Sequence, residues 1–567
     1  MPQIHTRSVS ELTPLGHLHP VLQRVYSGRG VASADELELS LKGLLPFHSM
    51  KGMAAAVEAL VPVVTEGRRL LVVGDFDADG ATSTAVALRA LSMMGAAHVE
   101  YLVPNRFDFG YGLSPELVDV ARGMSPDLIL TVDNGIAAIS GVAAANAAGI
   151  PVVVTDHHLA GDELPDALAI VNPNQPGCAF PSKAACGCTV VFYLMLALRS
   201  ALIERQWFTA PPPNLASLID LVALATVADV VPLDHNNRIL VEQGLRRIRA
   251  GHGQVGINAL IQVSGRSVLR LTSSDFGFAL GPRINAAGRL DDMSLGIECL
   301  LTDNSDKAMM IATELDAFNR DRRQIEQGMQ DEALVLLARD ADLTTDRAGV
   351  CLWREDWHQG VIGILASRIK DRLYRPVIAF ASAGNGELKG SARSIPGLHI
   401  RDALDLLDRR FPGLILKFGG HAMAAGLSLR AGAFETFERA FDDICRSLLT
   451  DEALEERIDT DGELTPPDFN LELAEALRWS GPWGQGFPEP LFEGWFRLVQ
   501  QKIVGERHLK MVLQPRHSDL ALDAIWFNID TTAWPDYQRE EVRCVFQLDV
   551  NEFRGARTVQ LLIRHLE

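Results

Sequence analysis

Cysteine is scarce in this chain: seven in 567 residues, an odd number and widely scattered. That distribution excludes a disulfide framework. Cys186 and Cys188 are close, but no second pair stands at zinc-ribbon spacing, which argues against a structural zinc. Unpaired thiols suit a reducing compartment, so a cytoplasmic setting is expected. Long apolar runs are also lacking. None reaches about 18 residues free of charge, so no membrane span is expected, and the opening MPQIHTRSVSEL has no apolar signal core. Basic residues are outnumbered 53 to 72, a net charge of −19. Such a surface excludes a general nucleic-acid coat protein. It does not exclude a nuclease, which needs only a local positive groove and metal ions. Solenoid repeats and low-complexity tracts are absent as well. A hydrophobic content of 47% and a charged content of 22% are those of a soluble globular protein. The length suggests three to four domains of about 150 residues each.

Acidic strand ends are what the chain does have. LLVVGDFDADG ends in Asp75, Asp77, Asp79 and Gly80; LILTVDNG ends in Asp133, Asn134 and Gly135; PVVVTDHH ends in Asp156, His157 and His158. Each run reads as a buried parallel strand followed by a helix. In open α/β sheets ligands bind at the carboxyl ends of strands. At least five carboxylates and two imidazoles are therefore expected at one sheet edge, where repulsion forbids them unless cations are present. A calcium loop of EF-hand type would need glutamate six residues after Gly80, and Val86 stands there. Mixed aspartate and histidine suit Mn²⁺ well and Mg²⁺ acceptably. Two ions about 3.5–4 Å apart can activate water and polarise a phosphoryl group. Asp133, or Asp229 near the end of NLASLIDLVALATVADVV, is a candidate to bridge them.

The fold class expected is α/β. An extension (1–45) precedes a doubly wound parallel-sheet domain (46–299) with strands in RLLVVGD, HVEYLVP, LILTVD, PVVVTD and AIVNP. A long connecting helix (300–345) leads to a second α/β domain (346–450) with strands in AGVCLW and PVIAFAS. From 456 to 567, five strand-like runs separated by polar turns suggest an all-β barrel of OB type.

DFDADG, VDNG, TDHH and ATVADVVPL together resemble the DHH phosphoesterase superfamily. GPRINAAGRL (281–290), WHQGVIGILASRI (357–369), GSARS (390–394), GGHAMAAG (419–426) and GPWGQGFPEPLF (481–492) extend that resemblance to the bacterial RecJ exonucleases over nearly the whole chain. The resemblance implies a 5′-to-3′ exonuclease on single-stranded DNA that releases mononucleotides by two-metal hydrolysis with Mg²⁺ or Mn²⁺, in recombination and repair. It implies a DHH-associated domain clamped over the catalytic one and an OB fold on the DNA path. A single-strand-binding protein and a helicase are the implied partners. A chain that encircles one strand needs no second copy, so a monomer is expected.

Carried over by position, Asp77, Asp79, Asp133, His157 and Asp229 resemble the family's metal ligands, and His158 a phosphate contact or a group that supports the ligands from behind. Many superfamily members have histidine four residues before the first paired aspartate; Val73 stands there, and Asp75 is the substitute expected. The resemblance makes Arg106, Ser391 and Arg393 the grip on the DNA 5′ end. Arg283, Asn285, Arg289, His421 and Tyr111 are further candidates for DNA contact, with Phe107 and Phe109 as base-stacking neighbours of Tyr111. Arg507, His508 and Lys510 are candidates to track a backbone in the barrel. The rivals are a DHH phosphodiesterase for short oligonucleotides or cyclic dinucleotides, which lacks the long tail, and an inactive replication scaffold, which has lost acidic ligands. A manganese pyrophosphatase fits only the first domain. Because every expected ligand lies before residue 230, a chain ending near Asp451 is expected to fold and to cleave short oligonucleotides. The risk to that expectation is a seam through Trp483, Phe487 and Phe492 against the DHH-associated domain.

Overall fold

The computed structural model describes the chain except residues 1, 10–14, 106–111, 340–346, 530, 532–533 and 554. A short strand, β1 (Gln3–Thr6), opens it. Strands β2 (Leu70–Val73), β3 (Val99–Leu102), β4 (Leu128–Val132), β5 (Val152–Thr155) and β6 (Ala169–Val171) then form a parallel sheet in the order β3-β2-β4-β5-β6. All residues of β2, β4 and β5 are buried, as continuous Val/Leu/Ile runs require when helices cover both faces. The connections through Ala78–Met94 and Ile139–Ala147 return each strand in parallel. All acidic clusters therefore emerge at one edge.

The helix Gly187–Glu204 is the one, among the described residues, long and apolar enough to cross a membrane. It is a core helix, 67% buried, that packs against Ala78–Met94 and Ile219–Ala228. Its first turn reaches the sheet edge. The run NLASLIDLVALATVADVV is shorter as a helix than its sequence suggests: a 3₁₀ turn at Leu215–Leu218 precedes Ile219–Ala228, and Asp229 is the C-cap.

The connecting helix spans Ser305–Arg339, after a separate helix at Ser294–Leu301. The second domain has more strands than its two apolar runs announce. Beside β7 (Val350–Trp353) and β8 (Val377–Gly384) lie β9 (Glu387–Arg393), β10 (Lys417–Gly420) and β11 (Ala424–Arg430), in the order β10-β11-β9-β8-β7. β9 and β11 alternate buried and exposed residues, the pattern of strands with one solvated face.

A strand β12 (Arg457–Thr460) pairs in parallel with β1, so the two ends of the chain meet. Strands β13 (Phe492–Val504), β14 (His508–Pro515), β15 (Leu522–Trp526), β16 (Glu541–Phe553) and β17 (Ala556–Leu566) close into a barrel ordered β13-β14-β15-β17-β16. All five expected runs are strands. The seam lies elsewhere than expected. Trp483 stacks on Tyr26 and Phe487, and the Arg238 guanidinium sits 4.3 Å from the Phe487 ring centroid. The barrel thus shares one continuous apolar core with the extension and the catalytic domain, whereas the second domain has cores of its own.

Candidate metal centre

Asp77 ends the β2 loop as the N-cap of Ala78–Met94, its carboxylate accepting from Gly80 N at 3.0 Å. Asp79 follows in the first helical turn and is 1% exposed. Both of its oxygens accept backbone bonds from the start of another helix: Gly187 N at 2.7 Å and Cys188 N at 2.9 Å. Asp133 leaves β4 with φ +62, a left-handed backbone that aims its buried carboxylate at the same point. Asn134 pins that turn to Val73 O and Val132 O, both at 3.0 Å.

The β5 end supplies the imidazoles. Asp156 is no ligand here; it organises its neighbours. Its Oδ1 accepts from His157 N at 2.7 Å and His158 N at 3.1 Å, and pairs with His158 Nδ1 at 2.7 Å; Oδ2 accepts from Ile136 N at 2.9 Å. Burial alone would raise the Asp156 carboxyl, but the His158 bond and the His158 charge hold it down at about 2. Burial would lower His158, yet Asp156 carries it up to about 9. Two residues not singled out in the sequence hold the backbone of this pair: Asn172 donates to His158 O at 2.9 Å and Asn174 to His157 O. Their signal is the polar end of AIVNPN, the next strand in the series.

His157 behaves oppositely. Burial, with the charge of His158, pushes it down to about 3, so it is neutral. Its Nε2 is buried and makes no hydrogen bond. It faces Asp133 Oδ1 at 3.2 Å, Asp229 Oδ2 at 3.5 Å and Asp79 Oδ2 at 3.8 Å. Asp229 completes this cluster from a helix C-terminus, where the macrodipole disfavours a carboxylate. Burial first, then the charge of Asp77, raises Asp79 to about 6. Burial and the neighbouring aspartates raise Asp133 and Asp229 well above the ordinary range. Four carboxylates and a neutral imidazole nitrogen without a hydrogen bond are a donor set for hard divalent cations. Donor atoms lie within 4.8 Å of one another in three groups: Asp79–His157–Asp229, Asp75–Asp77–Asp133 and Asp133–His157–His158. Asp75 therefore stands among the clustered donors, while Val73 is buried in the sheet core.

Protons and cations compete for these carboxylates. Mn²⁺ added to EDTA-treated protein is expected to raise the Tm, and by more at pH 8 than at pH 5, because Asp79, Asp133 and Asp229 all titrate upward. At a hundred times Kd the stabilisation is about 2.7 kcal/mol. An equal rise at both pH values in calorimetry would count against these residues.

The second domain closes over the site. His421 follows β10 and stacks on His158, ring centroids 5.6 Å apart. Arg393 is register-paired with Ala424, at the same sheet end as His421. Its Nη1 donates to Ser391 Oγ at 3.1 Å and Ala392 O at 2.8 Å. Both side chains lie on the start of the helix Ile362–Leu373; a Cβ at Gly363 would come within 2.9 Å of Arg393 Nη2 and of Ser391 Oγ. Arg289 donates to Gly360 O at 3.0 Å and so ties the two domains together.

Two DNA-contact candidates have partners within the protein. Arg283 is 8% exposed and binds Asp316 and Ala279 O, and Asn285 accepts from Ala78 N at 2.8 Å. Arg283 is turned into the protein toward the connecting helix, whereas half-buried Asn285, two positions on and so on a different side of the same helix, braces the first acidic loop. Arg106 and Tyr111, with Phe107 and Phe109, lie outside the described residues.

Residues 69–226 match the DHH family, N-terminal domain; residues 346–447 match the DHHA1 domain; residues 460–565 match the RecJ OB domain. The chain is 56% identical over 566 residues to the single-stranded-DNA-specific exonuclease RecJ of Salmonella typhimurium, covering 99% of this chain and 98% of that one. It is also similar to the crystal structure of RecJ in complex with Mn²⁺ from Thermus thermophilus, at TM-score 0.82 and 29% identity, covering 100% of this chain and 79% of that one. The crystal structure of that RecJ with Mg²⁺ matches at TM-score 0.77 and 28% identity, over 100% of this chain and 78% of that one.

Proposed function

Because this chain belongs to the RecJ family, we propose that it is a metal-dependent exonuclease that hydrolyses single-stranded DNA from the 5′ end to mononucleotides, in recombination and repair. The observation that carries the reading is the set of buried carboxylates around His157 Nε2, beneath a second domain that brings Arg393, Ser391 and His421 to the same mouth. A cyclic-dinucleotide enzyme has no use for the barrel, and a scaffold has no use for so many unneutralised carboxylates.

Asp79–His157–Asp229 and Asp75–Asp77–Asp133 share no residue, which supports two cations, with Asp133 in reach of His157 to link them. Mg²⁺ or Mn²⁺ held there supplies activation of water and stabilisation of phosphoryl charge. The chain's own residues do the rest. Asp156 keeps His158 protonated and oriented, so that it offers positive charge to a phosphate oxygen. His421 covers it from the opposite domain.

Arg393 and Ser391, on a helix N-terminus, form a clamp for a terminal phosphate. Arg106 belongs to the same proposal by resemblance. The barrel supplies a basic face to the strand through Arg497, Lys502, Arg507, His508 and Lys510, with Glu506 and Asp523 as acidic neighbours. A single-strand-binding protein and a helicase as partners, a monomeric state and a cytoplasmic setting are further parts of the proposal. They rest on resemblance and on the unpaired thiols.

Digestion of 5′- and 3′-labelled single strands with Mg²⁺ or Mn²⁺ tests the reading: early release of the 5′ label as mononucleotide is expected, and early loss of the 3′ label would sink the polarity. The clamp has its own test. A 5′-hydroxyl strand is expected to be cut about ten- to a hundredfold more slowly than its phosphorylated twin, the worth of one or two charge-assisted bonds. Arg393→Ala is expected to abolish most of that preference. Equal wild-type rates on both strands would rule out the clamp.

A further inference from the structure

A four-residue stretch with no charged side chain, Ala185 to Cys188 at the start of the helix Gly187–Glu204, touches candidate ligands from three different strand ends through Ala185, Gly187 and Cys188. The Ala185 carbonyl accepts from the His157 imidazole. Since Nε2 of that ring makes no hydrogen bond, the contact is through Nδ1, which fixes the tautomer with its lone pair toward the carboxylates. The backbone N–H groups of Gly187 and Cys188 hold the two oxygens of Asp79 at 2.7 and 2.9 Å. At Gly187 a Cβ would stand 2.4 Å from Asp133 Oδ1 and 2.6 Å from its Cβ. The helix start is thus pressed against Asp133, and only glycine fits.

We infer that Ala185–Cys188 is the positioning element of the metal centre: one carbonyl, two amides and one absent side chain set the relative placement of His157, Asp79 and Asp133. The inference rests on the reading that these three residues hold divalent cations. The physical logic is that of outer-shell control. Asp79 and Asp133 repel each other, and without fixed partners they would relax apart. The amides at the positive end of an 18-residue helix hold Asp79 in place. The carbonyl keeps His157 from rotating its lone pair away. The cysteine side chains take no part: both thiols are fully buried, and burial pushes both up well above the usual range, so they stay neutral. Partners of this kind are worth about ten- to a hundredfold in metal affinity.

The test separates backbone from side chain. Gly187→Ala pushes a methyl group into Asp133. Cys188→Pro removes one amide from Asp79 while keeping the first helical turn, which tolerates proline. Cys188→Ala removes only the thiol. Mn²⁺ binding to the full-length apoprotein is measured by calorimetry and by the EPR signal of free Mn²⁺, with circular dichroism in EDTA as the fold control. Gly187→Ala and Cys188→Pro are expected to weaken Mn²⁺ binding about ten- to a hundredfold, and Cys188→Ala by less than about twofold, with the far-ultraviolet spectrum retained. If Gly187→Ala does not fold, Cys188→Pro carries the test alone. Mn²⁺ affinity within twofold of wild type in a folded Cys188→Pro protein overturns the inference, as does an equal loss in Cys188→Ala. A wild-type chain that binds no Mn²⁺ removes the cation reading, and the positioning role with it.

Discussion

Asp133→Asn is expected to abolish nuclease activity and, in EDTA, to make the protein more stable. Both halves follow from one geometry. Asp133 sits 1% exposed, 3.2 Å from His157 Nε2, with Asp79, Asp77, Asp229 and Asp75 all raising its carboxyl after burial itself. Asparagine has the same shape, so no cavity forms and the φ +62 backbone, which asparagine also tolerates, is kept. What changes is charge. Without cations, an acid whose folded pKa is raised destabilises the fold as pH rises above its unfolded value near 4, because the folded state binds the proton more tightly. His157, held neutral at about 3, works in the opposite sense below pH 6.5 but is the same in both proteins. The variant should therefore melt above wild type in EDTA at pH 8, and the difference should shrink toward pH 4. With Mn²⁺ the order should reverse. Activity should fall more than about a hundredfold, the loss that outer-shell partners alone can cause. A tenth of wild-type activity, or a variant that melts below wild type in EDTA at pH 8, would remove Asp133 from the centre.

Legibility in the sequence followed the physics of each segment. β2, β4 and β5 are buried on both faces, so they read as unbroken apolar runs, and the residue where each run stops is the residue at the site. Asp75, Asp77, Asp79, Asp133 and His157 were readable for that reason. β9 and β11 have one wet face, and GSARS and AMAAG are mostly small residues with no run of large apolar or β-branched ones; their motifs were visible but their strands were not. Arg283 and Asn285 show the converse limit. An arginine and an asparagine in a Gly- and Ala-rich motif read as an exposed grip, but helix periodicity does not say which neighbour covers a face. Here Asp316 and the Ala78 amide do. Ala185 to Cys188 were illegible because their contribution is backbone and an absent side chain, and no residue type announces either.

The shared core argues against the independence of the barrel expected from the sequence. A chain ending at Asp451 is expected to be insoluble or unfolded, and to cleave nothing. Truncation removes β12, the partner of β1, and with it Asp461, whose carboxylate pairs with Arg29 at 2.7 Å where both are 1% exposed. Removing one partner of a buried pair costs about 3–5 kcal/mol, because the other charge stays behind. Trp483 and Phe487 go too, leaving Tyr26, Leu233 and Arg238 bare on the catalytic domain. Each lost aromatic is worth about 3–5 kcal/mol in a packed core. Whole domains are stable by only about 5–15 kcal/mol, so these losses together are enough to unfold the catalytic half. The position of the seam explains why: the barrel completes the core that carries Ile219–Ala228, the helix before Asp229, and so its removal reaches the metal centre through packing although no proposed ligand is deleted. The full-length Trp483→Ala protein grades the effect. It should lose about 3–5 kcal/mol and melt earlier, yet keep its Mn²⁺ affinity at a temperature where it is folded. A soluble, monomeric 1–451 chain that melts cooperatively near the wild-type temperature and degrades a short oligonucleotide at the wild-type rate would show that the shared core is not required.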